Sequence, residues 1–441
     1  MSLHGPDAIG DLGRRAAEFV TERLRGAPLG RTATRGEMNV ALAGSITAGG
    51  LGLDAAWTAL TETVMANTIG IDSERFLAFI PSSPGAAAAW VDAIVGATCV
   101  PAESWIEAAG AVAAENQVLR LLADLAGMPA TAGGCFMSGG SIGNLSALAV
   151  ARDNRRERPV VAVADTAHAS VSNTLHLLSM PSVGIATDAD GRFTADALRD
   201  AIAGRDDVGV VVASAGSTNG GVIDDLDGLA DVAAEIGAWF HVDAAYGGAT
   251  LMLPEMRSRL SGIGRADSFI VDPHKWLFAP SGSCALVYRD PELARAVHTQ
   301  HGPYIDIFRD GGDEWNPADY GYQLTRRASG LPLWFSLVLH GTDAMATAVR
   351  RGIELAAYAA DAIRAAGPTL SLVVEPELSV VLFRRDGWGR HEWRVWARRL
   401  LDDGIAFVAP TTWRGEPVGR LVFMHPRTPT ALVDEILATT R

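Results

Sequence analysis

The chain has 441 residues, and its 37 basic and 51 acidic side chains give a net charge of −14 at neutral pH. This charge disfavours nucleic acid and anionic membrane surfaces as partners, because both are negative themselves. The length exceeds what one compact core usually holds, so we expect a large domain with a smaller companion.

Patterns of targeting, membrane insertion, disulfide bonding and metal binding are missing from the sequence. The first residues, MSLHGPDAIGDLGRR, lack the apolar run of a signal peptide, and no later stretch has the roughly 18 apolar residues of a membrane span. Cys99, Cys135 and Cys284 are odd in number and far apart, which predicts free thiols. His298 and His301 lack the further residues of a zinc ligand set. We therefore expect a cytoplasmic protein without a metal.

Short apolar runs alternate with helical segments from about residue 105 onward. The predicted helices lie at 105–126, 143–152, 168–178, 194–203 and 226–236, after a glycine-rich turn at 133–143. The predicted strands lie at 159–165, 183–187, 208–214 and 238–243. This alternation predicts an α/β fold with a mostly parallel sheet covered on both faces. Two more apolar runs, at 268–272 and 283–288, are predicted to join the sheet as antiparallel or edge strands.

The C-terminal part follows a different order. A long helix beginning at 331–341 is predicted to lead out of the large domain. It is followed by helices at 351–366 and 390–402, strands around LSLVV, LSVVLF, IAFVAP and GRLVFMHP, and a final helix. We predict an N-terminal helical arm at 1–60, a large domain at 61–345 and a small α+β domain at 346–441.

Chemically reactive side chains follow several of the predicted strands. Ligands of open α/β sheets bind at the carboxyl ends of the strands, where His168, Asp243, His274 and Lys275 are placed. A lysine there can form a Schiff base with an aldehyde cofactor. A carboxylate nearby can keep a pyridine nitrogen protonated, which turns pyridoxal phosphate into an electron sink. The pair predicts a site for that cofactor.

The turn MSGGSIGN at 137–144 opens a predicted helix. Its small residues let backbone N–H groups approach a phosphate, the helix N-terminus favours the negative charge, and Ser141 adds a hydroxyl. Such a turn is more often only a turn, and a histidine such as His168 is more often only hydrogen-bonded at a strand end. The turn and His168 are stronger evidence for a cofactor site when they are considered together with Lys275 and Asp243.

Six segments, taken together, resemble the group II pyridoxal-phosphate-dependent decarboxylases, the family that includes aromatic-L-amino-acid and histidine decarboxylases. They are MSGGSIGNLSAL (137–148), ADTAHASV (164–171), SAGSTNGGVIDDL (214–226), HVDAAYGG (241–248), DSFIVDPHKWLF (267–278) and LTRRASGLPLWF (324–335). HVDAAY with the long PHKW form is more similar to the aromatic-amino-acid branch than to glutamate decarboxylases. The resemblance covers about residue 60 to the C-terminus. It implies the aspartate-aminotransferase-like fold type I, with a large sheet of the seven-stranded type, and a homodimer with shared active sites.

The resemblance implies catalytic roles for matching residues. Lys275 would bond to the cofactor as a Schiff base, and Asp243 would pair with the pyridine nitrogen. His168 and Ala245 would lie on opposite faces of the ring. Tyr304, in a loop segment, would deliver the proton to Cα, which favours simple decarboxylation over oxidative deamination.

The same resemblance implies binding contacts. Phosphate contacts fall on Gly140, Ser141 and His274, and a contact to the polar edge of the cofactor falls on Thr218.

Substrate contacts are the least determined part of the sequence. The segment FLAFIPSS at 76–83 keeps the family's aromatic and proline pattern, which implies Phe79, Ile80 and Pro81 as side-chain contacts. Glu103 falls near the site of a neighbouring subunit, where aromatic-specific relatives tend to have phenylalanine. As a buried acid it would prefer a cationic or hydroxyl-bearing substrate, and a solvated surface glutamate is the equal alternative. The segment AGAVAAEN at 109–116 departs from the family pattern.

A serine hydrolase is the rival hypothesis from another class of enzyme. Gly139–Gly143 satisfies G-x-S-x-G around Ser141, and Asp243 and His274 follow in α/β-hydrolase order. Against it, the preceding CFM is a poor strand for a nucleophile elbow, no HGGG segment precedes it, and Lys275 has no role.

Two further hypotheses keep the cofactor. An aminotransferase shares the fold, and Arg420 would then clamp a substrate carboxylate. A non-catalytic protein that binds the cofactor is disfavoured, because the set of lysine, aspartate, histidine and tyrosine has no common structural purpose. Within decarboxylases, aliphatic and non-proteinogenic amino acids stay open as substrates beside the aromatic ones.

Overall fold

A computed structural model describes residues 9–155, 159–306 and 314–440, apart from the side chains of Ile9 and Tyr304. Within these ranges no helix is long and apolar enough to cross a membrane. Nor do the described ranges bring three or more His, Cys, Asp or Glu side chains together as a metal site. The three cysteines are free thiols.

A seven-stranded sheet forms the centre of the molecule. Its strands are β1 (Gly133–Met137), β2 (Val160–Ala164), β3 (Ser182–Ile185), β4 (Val208–Ser214), β5 (Trp239–Asp243), β6 (Ser268–Val271) and β7 (Cys284–Tyr288). They lie in the order β1-β7-β6-β5-β4-β2-β3. All neighbours from β3 to β6 are parallel, whereas β7 is antiparallel to both β6 and β1. The predicted mostly parallel sheet is confirmed, and β7 is antiparallel as predicted. Strand β6 differs from the prediction, because it lies inside the sheet and is parallel to β5.

Alternation of side chains along β4 explains why the sheet is covered on both faces. All seven residues of this strand are buried. Val211 and Ala213 belong to the apolar core on one face, and Val210 and Val212 belong to the core on the other. Successive side chains of a strand point to opposite faces, so a continuous apolar run buries both.

Helices flank this sheet and continue into the C-terminal part. They are α1 (Ile9–Arg25), α2 (Arg35–Ala41), α3 (Leu53–Thr58), α4 (Ala86–Thr98), α5 (Trp105–Leu125), α6 (Gly140–Asn154), α7 (Ala169–Leu177), α8 (Ala195–Ile202), α9 (Leu226–Ile236), α10 (Pro291–His298), α11 (Pro303–Asp306), α12 (Leu331–Ala365), α13 (Arg390–Asp402) and α14 (Thr430–Ala438). The bounds of α9 show how local chemistry sets them. The Asp225 carboxylate accepts from Gly228 N at the start, and Gly237 ends the helix in a left-handed conformation.

The prediction of one turn over 133–143 was wrong. Residues 133–137 form strand β1, and α6 begins at Gly140, three residues before the predicted start. The glycines of GGCFM suggested a turn, but Gly134 serves close packing. A Cβ there would lie 1.9 Å from the carbonyl oxygen of Leu286 on β7.

A second, four-stranded antiparallel sheet lies in the C-terminal part. Its strands are β8 (Leu370–Leu372), β9 (Val380–Arg385), β10 (Thr411–Trp413) and β11 (Glu416–Val422), in the order β10-β11-β9-β8. Arg414 and Gly415 join β10 to β11, with φ of 50° and 85°, as a two-residue hairpin turn requires. The predicted α+β character is confirmed, and the boundaries at residues 60 and 345 stay a prediction.

Two details of the C-terminal prediction differ from the structure. IAFVAP is not a strand of the sheet, because Phe407 instead exchanges backbone hydrogen bonds with Arg75 and Leu77. The long helix predicted to start at 331–341 breaks at Gly341, where φ is 78°, and the helix predicted at 351–366 begins earlier, directly after this break; α12 denotes the two parts together. Helix α12 packs against α4 and α5, which flank the large sheet, and also against β8 and β9 of the small sheet. It therefore links the two parts of the molecule.

Candidate active site

A cavity of about 350 Å³ lies at the carboxyl ends of β4, β5 and β6. Eight of the predicted site residues line it: Gly140, Ser141, His168, Thr218, Asp243, Ala245, His274 and Lys275. These positions come from separate segments of the chain, so their convergence depends on the sheet order and not on proximity in sequence. The location agrees with the rule that ligands of open α/β sheets bind beyond the strand ends.

Lys275 is the only lysine of the chain; the other 36 basic residues are arginines. It follows β6 in a tight turn, in which its backbone N–H donates to the carbonyl oxygen of Asp272 at 2.9 Å. Its Nζ lies 3.0 Å from Asp272 Oδ2. Burial alone would lower the pKa of Lys275, but the carboxylates of Asp272 and Asp243 outweigh burial, so the pKa is raised.

Asp243 is held in one orientation at the end of β5. The side chain is almost fully buried, and its Oδ1 accepts from the backbone N–H of Ala245 at 3.1 Å. Its Oδ2 accepts from the amide Nδ2 of Asn144, on α6, at 2.9 Å. The carboxylate is therefore fixed from both sides.

A hydrogen-bond network extends from this carboxylate to His168. Burial lowers the pKa of His241 to about 4, so this histidine is neutral at physiological pH. Its Nδ1 contacts Ser268 Oγ at 2.8 Å, and its Nε2 contacts Asn144 Oδ1 at 3.0 Å, which assigns the ring proton to Nε2. The second Asn144 N–H bond donates to Ser170 Oγ at 3.0 Å.

The network determines which nitrogen of His168 carries a proton. Ser170 Oγ already accepts from Asn144, so its own hydrogen points to His168 Nδ1, 2.8 Å away. The Ser170 backbone N–H also donates to this nitrogen, at 3.2 Å. His168 Nδ1 is therefore an acceptor, and the neutral ring carries its proton on Nε2.

The first turn of α6 forms a cradle for an anion. No side chain caps this helix, which begins after Gly139. A Cβ at Gly140 would lie 2.7 Å from Asp272 Oδ2, so only glycine fits between the helix and that carboxylate. His274 Nδ1 donates to the carbonyl oxygen of Ser283 at 2.6 Å, which fixes the ring beside this turn. Uncapped N–H groups at a helix N-terminus favour a phosphate.

A neighbouring cavity of about 500 Å³ opens beside Lys275 and His168. Phe79 and Ile80 line one part of it, and Phe79 is 59% exposed. The backbone of Phe79 has φ of 55°, a conformation that is rare for a bulky residue and concentrates at functional sites. Arg420 holds it there, because its guanidinium donates to the carbonyl oxygens of Phe79 at 3.0 Å and Thr218 at 2.6 Å.

Three predicted residues are not brought to these cavities by the described part of the chain. Pro81 is buried next to the wall but lines neither cavity. Glu103 also lines neither; its backbone oxygen accepts from Ala318 N, and its Oε2 is buried with no hydrogen bond within the described residues. Tyr304 lies in α11, and its side chain is outside the described part of the chain.

Sequence reasoning missed Asn144, Ser170 and Asp272. Asn144 and Ser170 lie inside the matched segments, but an amide or hydroxyl in a helix carries no signal of a long-range partner. Asp272 had a signal, because a carboxylate three residues before a buried lysine lies within reach of its amine. The count of one lysine in 441 residues was a second signal that Lys275 is special.

The seven-stranded sheet and the lysine-centred cavity are those of a pyridoxal-phosphate enzyme of fold type I. The model of the pyridoxal-dependent decarboxylase conserved domain matches residues 58–386. The chain belongs to this family and is a pyridoxal-phosphate-dependent carboxy-lyase that acts on an amino acid.

Similar proteins differ in substrate. An aromatic-L-amino-acid decarboxylase of Bacillus atrophaeus is 30% identical, over 86% of this chain and 82% of that protein. An L-2,4-diaminobutyrate decarboxylase of Rhizobium meliloti is 32% identical, over 88% of this chain and 81% of that protein. The crystal structure of Oryza sativa TDC with PLP and tryptamine superimposes with a TM-score of 0.90 at 25% identity, covering 100% and 99% of the two chains.

The residues present fit pyridoxal phosphate. The uncapped turn of α6 suits its phosphate, the fixed carboxylate of Asp243 suits its pyridinium, and the one lysine lies in the same cavity. Ala245 is small and buried beside Asp243, which leaves room for a flat ring opposite His168.

Proposed function

We propose that the enzyme decarboxylates an aromatic L-amino acid to the corresponding amine and carbon dioxide. The observation that carries this proposal is that Phe79, an exposed aromatic residue, lines the cavity beside Lys275 while a buried arginine holds its backbone carbonyl. A flat side chain can stack on Phe79 and pack against Ile80, and aromatic pairs gain about 0.5–1.5 kcal/mol beyond their buried area.

The charges around this cavity disfavour a second cation on the substrate. Arg420 is 4% exposed and forms no ion pair with a carboxylate of the described chain. Burial lowers the pKa of Arg420 to about 10, so it is still charged at physiological pH. A 2,4-diaminobutyrate side chain would therefore meet the unpaired Arg420 charge in a cavity lined by no carboxylate of the described chain. Arg420 is also suited to attract the carboxylate of an incoming amino acid.

The bound cofactor supplies the electron sink for the pair of electrons left when the Cα–carboxylate bond breaks. The chain's residues orient the reaction. Asp243, fixed by Asn144 and Ala245 N, is proposed to keep the pyridine nitrogen protonated. His168 is proposed to cover the ring while its Nε2–H faces the reacting groups. Lys275 is proposed to bind the cofactor and to take back its place when the amine leaves.

Tyr304 is proposed as the group that protonates Cα. A phenol in the segment after α10 could act as the general acid for a carbon bound in the cavities that His168 lines. This delivery yields the amine and avoids oxidation.

A screen for carbon dioxide release tests the substrate. The purified enzyme with pyridoxal phosphate is given each of the twenty amino acids and 2,4-diaminobutyrate, and the amine product is identified. We expect release from tryptophan, tyrosine or phenylalanine at more than about tenfold the kcat/KM of the others, a difference of about 1.4 kcal/mol. A preference for 2,4-diaminobutyrate or for an acidic amino acid would contradict the proposal. Stoichiometric keto acid would indicate the aminotransferase reaction instead.

We also propose that the enzyme is a homodimer. The outer faces of α4, α5 and α12 expose a group of large apolar side chains: Trp90, Ile94, Ile106, Phe335, Val338 and Leu339. Helices α4 and α5 both pack on α12, so the proposed interface consists of neighbouring helices. Apolar patches on this scale mark interaction sites, and a dimer would place Glu103 of one subunit near the site of the other.

Replacing Val338 by aspartate tests the dimer. Val338 is 64% exposed in the single chain, and a carboxylate buried there on association would have no partner. We expect the dissociation constant of the dimer, measured by sedimentation equilibrium, to rise at least about tenfold. Val395→Asp on α13, at a similarly exposed valine outside this surface, is the control that leaves the dimer intact. An unchanged dimer in V338D would place the interface elsewhere.

A further inference from the structure

Asp272 is a buried carboxylate in the active site that has no role in the reaction described so far. It follows β6 directly, and its side chain is 2% exposed. Oδ2 lies 3.0 Å from Lys275 Nζ and 3.9 Å from His274 Nε2. Oδ1 is buried and accepts no hydrogen bond from the described part of the chain. A buried carboxylate is costly unless it is paired, so the lysine is its main compensation.

Lys275 is the cation nearest to Asp272, and the other groups around this pair do not replace it. The second carboxylate near the lysine, Asp243, is already fixed by Asn144 and Ala245 N. On β7, burial and then the Asp272 carboxylate, with which the thiol interacts, raise the pKa of Cys284 well above its ordinary value, so this neighbour is neutral. From α6, Gly140 approaches Asp272 so closely that a Cβ there would lie 2.7 Å from Oδ2.

We propose that Asp272 is the docking position of the free Lys275 ammonium, and that it thereby sets the balance between the free lysine and the lysine bonded to the cofactor. This inference rests on the proposed role of Lys275 as the cofactor-bearing residue. Asp272 is a positioning residue in this scheme, because it acts through the lysine.

The exchange of amines shows what this docking does. The substrate would arrive as an ammonium with three N–H protons and keep one of them in the protonated double bond that its nitrogen forms to the cofactor carbon. The Lys275 nitrogen has one proton in its own protonated double bond to that carbon, and both electron pairs of this bond stay on the lysine nitrogen when the bond breaks. The two protons that the substrate gives up pass to the lysine nitrogen, which becomes an ammonium, so protons and electrons balance without another reactant. An ammonium has no free electron pair and cannot attack.

Asp272 therefore favours the forward exchange. By stabilising the ammonium at 3.0 Å, it delays the return of the lysine until the product amine is ready to leave. The same contact slows the first capture of the cofactor by the empty chain, because capture needs the neutral amine.

The test uses the single lysine as its own probe. Full-length, cofactor-free protein is prepared with lysine labelled with nitrogen-15 at Nζ, so that one side-chain signal reports Lys275 and can be followed against pH. We expect the wild-type signal to be that of an ammonium still at about pH 10. In Asp272→Asn the midpoint falls by about one pH unit or more, since the carboxylate that favours the charged form is gone.

Cofactor capture gives the second readout. The rate of pyridoxal phosphate bonding to Lys275 is measured by borohydride trapping and mass analysis of the one lysine-containing peptide. Each unit by which the pKa falls gives about tenfold more neutral amine below the midpoint, so we expect capture by D272N near neutral pH to be about tenfold faster.

Asp267→Asn is the matched control. Asp267 is a partly buried carboxylate at the opposite end of β6, and it accepts from Phe240 N at 2.8 Å. This variant should leave both readouts at their wild-type values. An unchanged midpoint in D272N, or slower capture, would overturn the inference. If D272N does not fold, the wild-type protein still tests the inference: a Lys275 titration midpoint below 10.5, the ordinary pKa of lysine, would overturn it. The titration needs no turnover, so a wrong substrate proposal would not affect it.

Discussion

Replacing Lys275 by arginine is expected to abolish decarboxylation, with a loss in kcat/KM of more than about a thousandfold. The variant contains no lysine at all, so no other side-chain amine can bond to the cofactor. General acid and base catalysis alone is typically worth about 10²–10⁴-fold, and this variant loses the exchange of amines as well. Activity is followed as carbon dioxide release, and the visible absorption of the bound cofactor is recorded in parallel.

The choice of arginine separates chemistry from folding. Lys275→Ala would leave the buried carboxylate of Asp272 without its ion-pair partner, which destabilises the fold, whereas arginine retains a positive charge there. We therefore expect K275R to unfold near the wild-type midpoint while K275A unfolds earlier, with both inactive. Retained activity in K275R would show that Lys275 is not the cofactor-bearing residue.

Much of the fold was predictable because most of its strands and helices are determined by the residues within them. Strand β4 and helices α9 and α13 have the predicted bounds, since each is defined by its own apolar pattern and caps. Strand β1 was missed because its glycines are explained only by a distant strand, β7. The prediction for the segment around Phe407 was wrong for the same reason, because its hydrogen-bond partners lie more than 300 residues away in sequence.

The candidate site divides in the same way. Lys275, Asp243 and His168 were predictable, since each lies at a strand end and has a side chain whose chemistry is recognisable alone. Asn144 was not, because its role comes from three hydrogen-bond partners on two other elements, Ser170 on α7 and His241 and Asp243 on β5. Phe79 was predicted as a wall, but its strained backbone and its bond to Arg420 could not be, because both depend on how the C-terminal sheet meets the cavity.

The departing segment at 109–116 contains the residue whose loss should destabilise the fold most. Glu115 on α5 is 1% exposed and forms a two-pronged ion pair with Arg326, which is 3% exposed, at 2.6 and 3.1 Å. Its Oε1 also accepts from Gly330 N at 2.8 Å, at the start of α12. One carboxylate thus joins α5, the segment before α12 and the first turn of α12. Burial alone would lower the pKa of Arg326, but Glu115 outweighs burial and raises it.

Glu115→Gln is expected to lower the free energy of unfolding by about 3–5 kcal/mol, because it leaves the Arg326 charge buried without a partner. The measurement is the midpoint of urea unfolding of the cofactor-free protein, followed by far-ultraviolet circular dichroism. Glu107→Gln is the matched control on the same helix: Glu107 is exposed and contacts Ser104 Oγ, so its loss should cost less than about 1 kcal/mol.

A double variant separates the unpaired charge from the lost contact. Glu115→Leu with Arg326→Met removes both charges, and it should recover most of the stability that E115Q loses, since apolar pairs often replace buried ion pairs without cost. If E115Q unfolds at the wild-type midpoint, the pair does not stabilise the fold. If the double variant is no better than E115Q, the Gly330 N bond and the packing of α12 carry the effect. If the double variant recovers the stability, the unusual segment at 109–116 serves to hold α5 against α12 and not to shape the substrate cavity.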